Sequence, residues 1–240
     1  MRIKAILEYD GSKFYGFQKQ NTTNQTVTTQ IELVLKSIQI TSNIVGSGRT
    51  DRGVHASNQV IHFDIPPFWN DLNKLKYTLN QKIKYIRFKH ICLVDNNFHA
   101  RFSPKARVYR YVFKTKPLNV FESDYVSHYD DFDEDLLQNA LNQFVGKHDF
   151  AYFHKTGSNP HSTVREIYSA FYKPHKDYHI IYFKANGFLR SQVRMMVEAS
   201  MQVAQKKLDI YKLTEQLKLK KNHINTLAPA SGLYLARIIY

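Results

Sequence analysis

Cysteine is nearly missing. Cys92 is the single one in 240 residues, which excludes an internal disulfide and a thiolate zinc cluster and fits a reducing compartment. Glycine, at 9, and proline, at 7, are too scarce for a linker-rich or disordered chain, so the sequence reads as folded throughout. No apolar run approaches the roughly 18 residues of a membrane span, and the opening Met1 to Glu8 lacks the continuous apolar stretch of a signal peptide. These absences predict a cytoplasmic protein with no membrane partner. Acid is in short supply as well: 20 Asp and Glu stand against 34 Lys and Arg, a net charge of +14 and a pI near 9.7. Such an excess suits a polyphosphate partner, and a generally basic proteome would give the same balance.

What is present reads as alternating strands and helices. Arg2 to Tyr9 is rich in β-compatible residues and closes on Asp10-Gly11, a turn signal. Val27, Ile31, Val34, Leu35 and Ile38 recur at helical spacing behind Thr26, a good N-cap, predicting a helix from Thr26 to Ile38. Gly46-Ser47-Gly48 predicts a bend. Val60, Ile61 and Phe63 predict a short strand, Leu72, Leu75 and Leu79 a helix after Asn70, and Tyr85 to Val94 another strand. After Pro104 the pattern restarts: a strand from Val108 to Thr115, a helix through Leu136 to Phe144 entered at Asp133, and strands Arg165 to Tyr172 and Tyr178 to Ala185. Leu189 to Ala204 predicts a long helix, Leu208 to Leu219 a shorter one, and Leu233 to Ile239 a closing strand. The fold class is therefore α+β, with two successive halves, 1–103 and 104–240, of broadly similar element order.

The densest group of unusual residues is Gly46-Ser47-Gly48-Arg49-Thr50-Asp51-Arg52-Gly53-Val54-His55-Ala56. Three glycines in eight positions allow tight turning and close approach of another molecule. Arg49 and Arg52 flank one carboxylate, Asp51, and nearby guanidinium groups favour the ionised acid, a nucleophile rather than a proton donor. An aspartate that simply pairs with arginine in a turn would look the same. A nucleotide-triphosphate loop is excluded, because its Gly-Lys-Ser/Thr ending is missing.

This segment resembles the Gly-Arg-Thr-Asp-x-Gly-Val-His signature of TruA-type tRNA pseudouridine synthases. Further stretches are similar to other motifs of that family, in order: Tyr9 to Gln18, Phe98 to Ser103 with Ala106 to Tyr111, Asn186 to Leu189 with Val193-Arg194, and Gly232 to Leu235. The resemblance runs essentially end to end. It implies two ferredoxin-like (RRM-like) halves joined into one largely antiparallel mixed sheet, with helices on one face and a central catalytic cleft. It also implies a homodimer that clasps the tRNA anticodon stem-loop and isomerises uridines 38, 39 and 40. On the same ground Asp51 matches the nucleophile, Tyr109 the aromatic residue beside the flipped base, Arg194 the guanidinium that pairs with the aspartate, and Arg49 the arginine that helps extrude the nucleotide. Two places depart from the family pattern: Arg52, where a small residue is more familiar, and Arg190-Ser191-Gln192, which replaces a His-rich lead into Val193-Arg194.

Isomerisation of uridine to pseudouridine neither gains nor loses atoms, so no cofactor, metal or energy source is expected. A usual glycosidase needs two carboxylates; here one suffices, because the leaving uracil stays in the pocket. The target base must be unstacked, and backbone contacts must offset that cost. Arg101 to Lys116 and Lys74 to Lys89 each hold six basic residues and no acid, interleaved with Tyr77, Tyr85, Phe88, Phe102, Tyr109 and Tyr111. They read as RNA-facing, with Arg101, Lys105, Arg107 and Arg110 the candidate contacts; a solvated edge strand is the alternative for either stretch. His175 and His179 are four apart but lack a third ligand nearby, so no zinc site is expected. Glu122 to Asp135 carries seven acids and no Lys or Arg, leaving 34 basic against 13 acidic residues on the rest of the chain. That segment should lie away from the tRNA. A noncatalytic RNA-binding protein would share these basic surfaces.

Overall fold

The computed structural model describes residues 1–157 and 160–240. The protein is α+β, its strands mostly antiparallel, and it divides into two compact units: Met1–Lys105 together with Tyr234–Tyr240, and Ala106–Leu233.

In the first unit, β1 (Arg2–Tyr9) is central. It pairs antiparallel with β3 (His55–Asp64) on one side and with β4 (Ile86–Leu93) on the other. The short β2 (Val45–Gly46) lies antiparallel to β3, and the closing strand, β10 (Leu233–Ile239), runs parallel to β3 through Tyr234 and Leu235. The first unit is thus built from both ends of the chain. Strict alternation along β1 buries Ile3, Ala5, Leu7 and Tyr9. The same core takes Val27, Ile31 and Leu35 of α1 (Val27–Ser37) and Leu75 and Leu79 of α2 (Leu72–Lys82), all fully buried. Thr26 caps α1 by accepting the Thr29 amide at 3.2 Å. Asp71 caps α2, accepting from the Asn73 and Lys74 amides.

In the second unit, β5 (Ala106–Lys114), β9 (Tyr178–Ala185), β8 (Val164–His175) and β7 (Gly146–Asp149) form successive antiparallel pairs. The two-residue β6 (Ser127–His128) is parallel to β5. Helices α3 (Glu134–Gln143), α4 (Gln192–Ala204) and α5 (Ile210–Leu217) complete it. Helix α4 is buried nearly all round, including Met195 and Met196. The acidic entry to α3 does what helix electrostatics ask: Asp133 caps it, and Glu134 and Asp135 occupy its first turn. Among the described residues, no helix is long and apolar enough to cross a membrane.

Candidate active site

Asp51 sits in the first unit, in the loop between β2 and β3. Its carbonyl accepts the Val54 amide at 3.1 Å, closing a turn completed by Gly53 at φ +79°. The residue before it, Thr50, is held twice. Its hydroxyl meets the Tyr9 phenol at 2.8 Å, and its carbonyl accepts the Phe17 amide at 3.0 Å. Both Tyr9 and Thr50 are buried, and that burial pushes the Tyr9 phenol well above its ordinary range. Gly16, at φ +105°, passes so close that a Cβ there would lie 3.1 Å from the Thr50 oxygen.

The other side of the loop is fixed through His55. Its ring is buried and stacks on Tyr234 at 4.7 Å, and its Nδ1 accepts the Gly11 amide at 3.0 Å. Gly11 begins a single 3₁₀ turn, Gly11–Lys13, capped by Asp10. A Cβ on Gly11 would fall 2.1 Å from the Val54 oxygen, so this contact of backbone on backbone requires glycine. These contacts fix the His55 ring and, through it, the end of the loop. Gln59 ties down the start of the segment, accepting from the Ser47 hydroxyl at 2.6 Å and donating to the Gly48 carbonyl at 2.9 Å.

The arginines around Asp51 differ. The Arg52 guanidinium lies over the Tyr15 ring at 4.2 Å. Arg49 is exposed, and its guanidinium is pulled below its ordinary range, first by partial burial and then by the positive charge of Arg101. Those two cations are therefore neighbours in the first unit. Lys105, also exposed there, donates its amide to the Ile239 carbonyl at 2.7 Å.

Tyr109, Arg107, Arg110 and Arg194 belong to the second unit. On β5, residues 107, 109, 111 and 113 share one face and 108, 110, 112 and 114 the other. Arg107 and Arg110 therefore project to opposite sides of the sheet. Tyr109 is buried, with the Phe188 ring edge-on at 5.2 Å. Arg194 lies in the first turn of α4, where its Nε donates to the Ala228 carbonyl at 2.7 Å. Arg190-Ser191-Gln192 leads into α4 in a particular way. Ser191, at φ +58°, makes no side-chain cap, and the buried Gln192 side chain instead accepts the Leu189 amide at 2.7 Å.

The reading of the interleaved aromatics needs amendment. Phe88 and Tyr111 are core residues, so of the aromatics interleaved in the basic stretches only Tyr77, Tyr85 and Phe102 present large exposed surfaces. Arg165, which the sequence does not single out, donates to the Ser162 and Val164 carbonyls and feels the charge of Arg107, whose own guanidinium holds the Asn186 carbonyl at 2.8 Å. Nothing in the local sequence joins two arginines 58 positions apart; strand pairing does. His179 stacks on Phe113 and bonds Tyr172 at 2.7 Å, and among the described residues no group of three or more His, Cys, Asp or Glu could hold a metal ion. In the acidic segment, Glu122 pairs with Lys114 at 2.6 Å.

The chain matches the family model described as tRNA pseudouridine synthase over residues 5–103 and 140–240. It is 39% identical over 239 residues to tRNA pseudouridine synthase A of Wolinella succinogenes, covering 99% of this chain and 94% of that one. The proteins of the same name from Campylobacter jejuni and Helicobacter pylori are each 38% identical. The first is covered completely and the second over 99%, with this chain covered to 100% and 99% respectively. The chain belongs to the tRNA pseudouridine synthase family. It is an isomerase acting on RNA, and its reaction is the conversion of uridine to pseudouridine in tRNA.

Proposed function

We propose that the protein isomerises uridines 38, 39 and 40 of the tRNA anticodon stem-loop, with Asp51 as the nucleophile acting on a base flipped out of its stack. The observation that carries this reading is the double tether of the Asp51 loop: Thr50 by Tyr9 and Phe17, and His55 by Gly11. A loop clamped at both shoulders holds one carboxylate to the tolerance that chemistry at a single carbon demands. In the reaction the bond from N1 to C1′ breaks, the uracil turns, and C5 bonds to C1′; C5 gives up a proton and N1 gains one. Asp51 has three routes: attack on C1′, assistance to loss of the 2′ proton, or addition at C6.

The remaining roles extend from the same reading. Tyr109 offers its ring to the extruded base, Arg194 orients the carboxylate, and Arg49 helps displace the target nucleotide. Arg101, Lys105, Arg107 and Arg110 hold the backbone, and two copies of the chain act together in the cytoplasm without cofactor. The two halves, 1–103 and 104–240, are read as ferredoxin-like, with the active cleft between them. In the first half the order β4-β1-β3, with β2 against β3, supports that reading. The acidic Glu122 to Asp135 segment stays off the RNA.

The test is Asp51→Asn with a tRNA transcript labelled with tritium at C5 of uridine. The variant should release no tritium while retaining the tRNA on a filter as the wild type does. Release at the wild-type rate would remove Asp51 from the chemistry. A wild-type protein that binds but never releases tritium would leave the noncatalytic RNA-binding reading. Mapping pseudouridine in the product tRNA checks positions 38, 39 and 40.

A further inference from the structure

Phe102 is 75% exposed, unusual for a ring so firmly mounted. Its ring stacks on His99 at 4.4 Å and 25°, which covers one face, and the Arg101 guanidinium stands 5.5 Å from its centre. The turn beneath is over-determined. Ser103 donates its amide to the His99 carbonyl, His99 donates its own to the Ser103 hydroxyl, and His99 Nδ1 accepts from the Arg101 and Phe102 amides. Ala100, fully buried, anchors the whole, its amide on His62 Nδ1 at 3.1 Å and its carbonyl accepting the Tyr240 phenol at 3.0 Å. His62 in turn meets the His99 ring edge-on at 5.0 Å. A lone exposed apolar side chain needs no explanation. One whose backbone is fixed by this many bonds, whose inner face is already stacked and whose neighbours are arginines is built like a platform for a flat, electron-rich, polyanionic ligand.

We propose that the Phe102 and His99 stack is a docking platform for an unpaired nucleobase of the RNA substrate. A base would lie on the outer face of Phe102 while Arg101 and Arg49 take the flanking phosphates. Arg101 follows His99 by two positions and acts electrostatically on Arg49, itself two before Asp51, so the platform belongs to the same part of the first unit as the proposed nucleophile. The inference rests on the tRNA reading and adds a site that discriminates single-stranded from paired RNA.

Stacking and charge separate by salt. Affinity for a tRNA transcript, and for a fully paired RNA duplex of matched length, is measured over a range of salt for wild type, Phe102→Leu, Phe102→Trp and Arg101→Gln. Phe102→Leu should weaken tRNA binding about 10- to 100-fold with an unchanged salt slope. Phe102→Trp should restore it, and duplex affinity should not move. Arg101→Gln should instead flatten the slope by about one ion. Because Phe102 is exposed, the melting temperatures should coincide. Wild-type affinity in Phe102→Leu, or failure of Trp to rescue, overturns the platform. Tritium release by the wild type on the same transcript is scored separately: its absence refutes the isomerase assignment without touching a stacking effect seen in binding.

Discussion

The Tyr9 phenol and the Thr50 hydroxyl meet at 2.8 Å across 41 positions of sequence, both buried, one residue short of Asp51. Tyr9→Phe keeps the ring, its packing against Phe14 and Phe17, and the strand, and removes only the oxygen. A buried hydroxyl deprived of its partner costs about 1 kcal/mol of stability. The larger effect should fall on turnover: a roughly tenfold lower single-turnover rate with tRNA affinity unchanged, because a loosened shoulder misplaces the carboxylate. Quench-flow tritium release at saturating enzyme, alongside filter binding, measures both. An unchanged rate would mean that Thr50 is held well enough by the Phe17 amide alone.

Gly11 and Gly48 form a matched pair for testing the loop's backbone. A Cβ on Gly11 would lie 2.1 Å from the Val54 oxygen and 2.3 Å from its carbonyl carbon, and backbone cannot yield as a side chain can. Gly48 has nothing within 4 Å of such a Cβ. Gly11→Ala should therefore cost about 1–3 kcal/mol as overpacking and abolish measurable turnover, since strand β3 would shift away from the turn that fixes His55. Gly48→Ala should be nearly neutral in both. Thermal unfolding and initial rates of the two variants decide it; equal behaviour would contradict the close approach.

These relationships mark where the sequence could be read and where it could not. Thr26 and Asp133 announce their helices because capping is local chemistry between neighbours. Strand β3 was expected only near Val60, yet it begins at His55. Its first half buries His55 and Gln59, polar side chains whose hydrogen bonds go to Gly11, Ser47 and Gly48 and whose burial no hydropathy pattern reveals. The short β6 and β7 were missed because they are polar and made by pairing with distant residues. At the candidate site, Asp51 stood out through its glycine-rich, arginine-flanked setting. The Tyr9 to Thr50 bond and the pairing of Arg165 with the field of Arg107 depend on strand register, which a linear reading does not supply.

Acid should weaken the fold through His62. Burial, followed by the charges of Arg2 and His99, lowers this imidazole to about 4 against an ordinary 6.5, with Asp64 opposing. The neutral ring is the one whose Nδ1 accepts from Ala100. Between those two values the unfolded chain binds a proton that the folded one refuses, so the stability that depends on His62 is lost as pH drops from about 6.5 to 4, and this contribution changes no further below. The contribution is at most about 3 kcal/mol. His179, also lowered by burial, acts in the same direction, so the difference from His62→Gln is the informative quantity. Urea midpoints across that range should slope less in the variant than in the wild type; parallel curves would refute the assignment.

Arg52 follows Asp51 directly in the sequence, and its place in the structure says what removing it should do. Its guanidinium lies 4.2 Å from the centre of the Tyr15 ring, which is itself 45% exposed. An exposed cation–π pair contributes about 0.5–1 kcal/mol, and the tethers of the Asp51 loop run through Thr50, Val54 and His55 rather than through Arg52. Arg52→Ala should therefore retain single-turnover isomerisation within about threefold of wild type, with a loss of stability below about 1 kcal/mol. If the Arg52 guanidinium instead acts directly on the reacting group, its removal would lower the rate by orders of magnitude. Single-turnover rates and thermal unfolding of Arg52→Ala beside the wild type separate the two: a near-wild-type rate supports a structural stacking role, and a loss of orders of magnitude with the fold intact would place Arg52 in the chemistry.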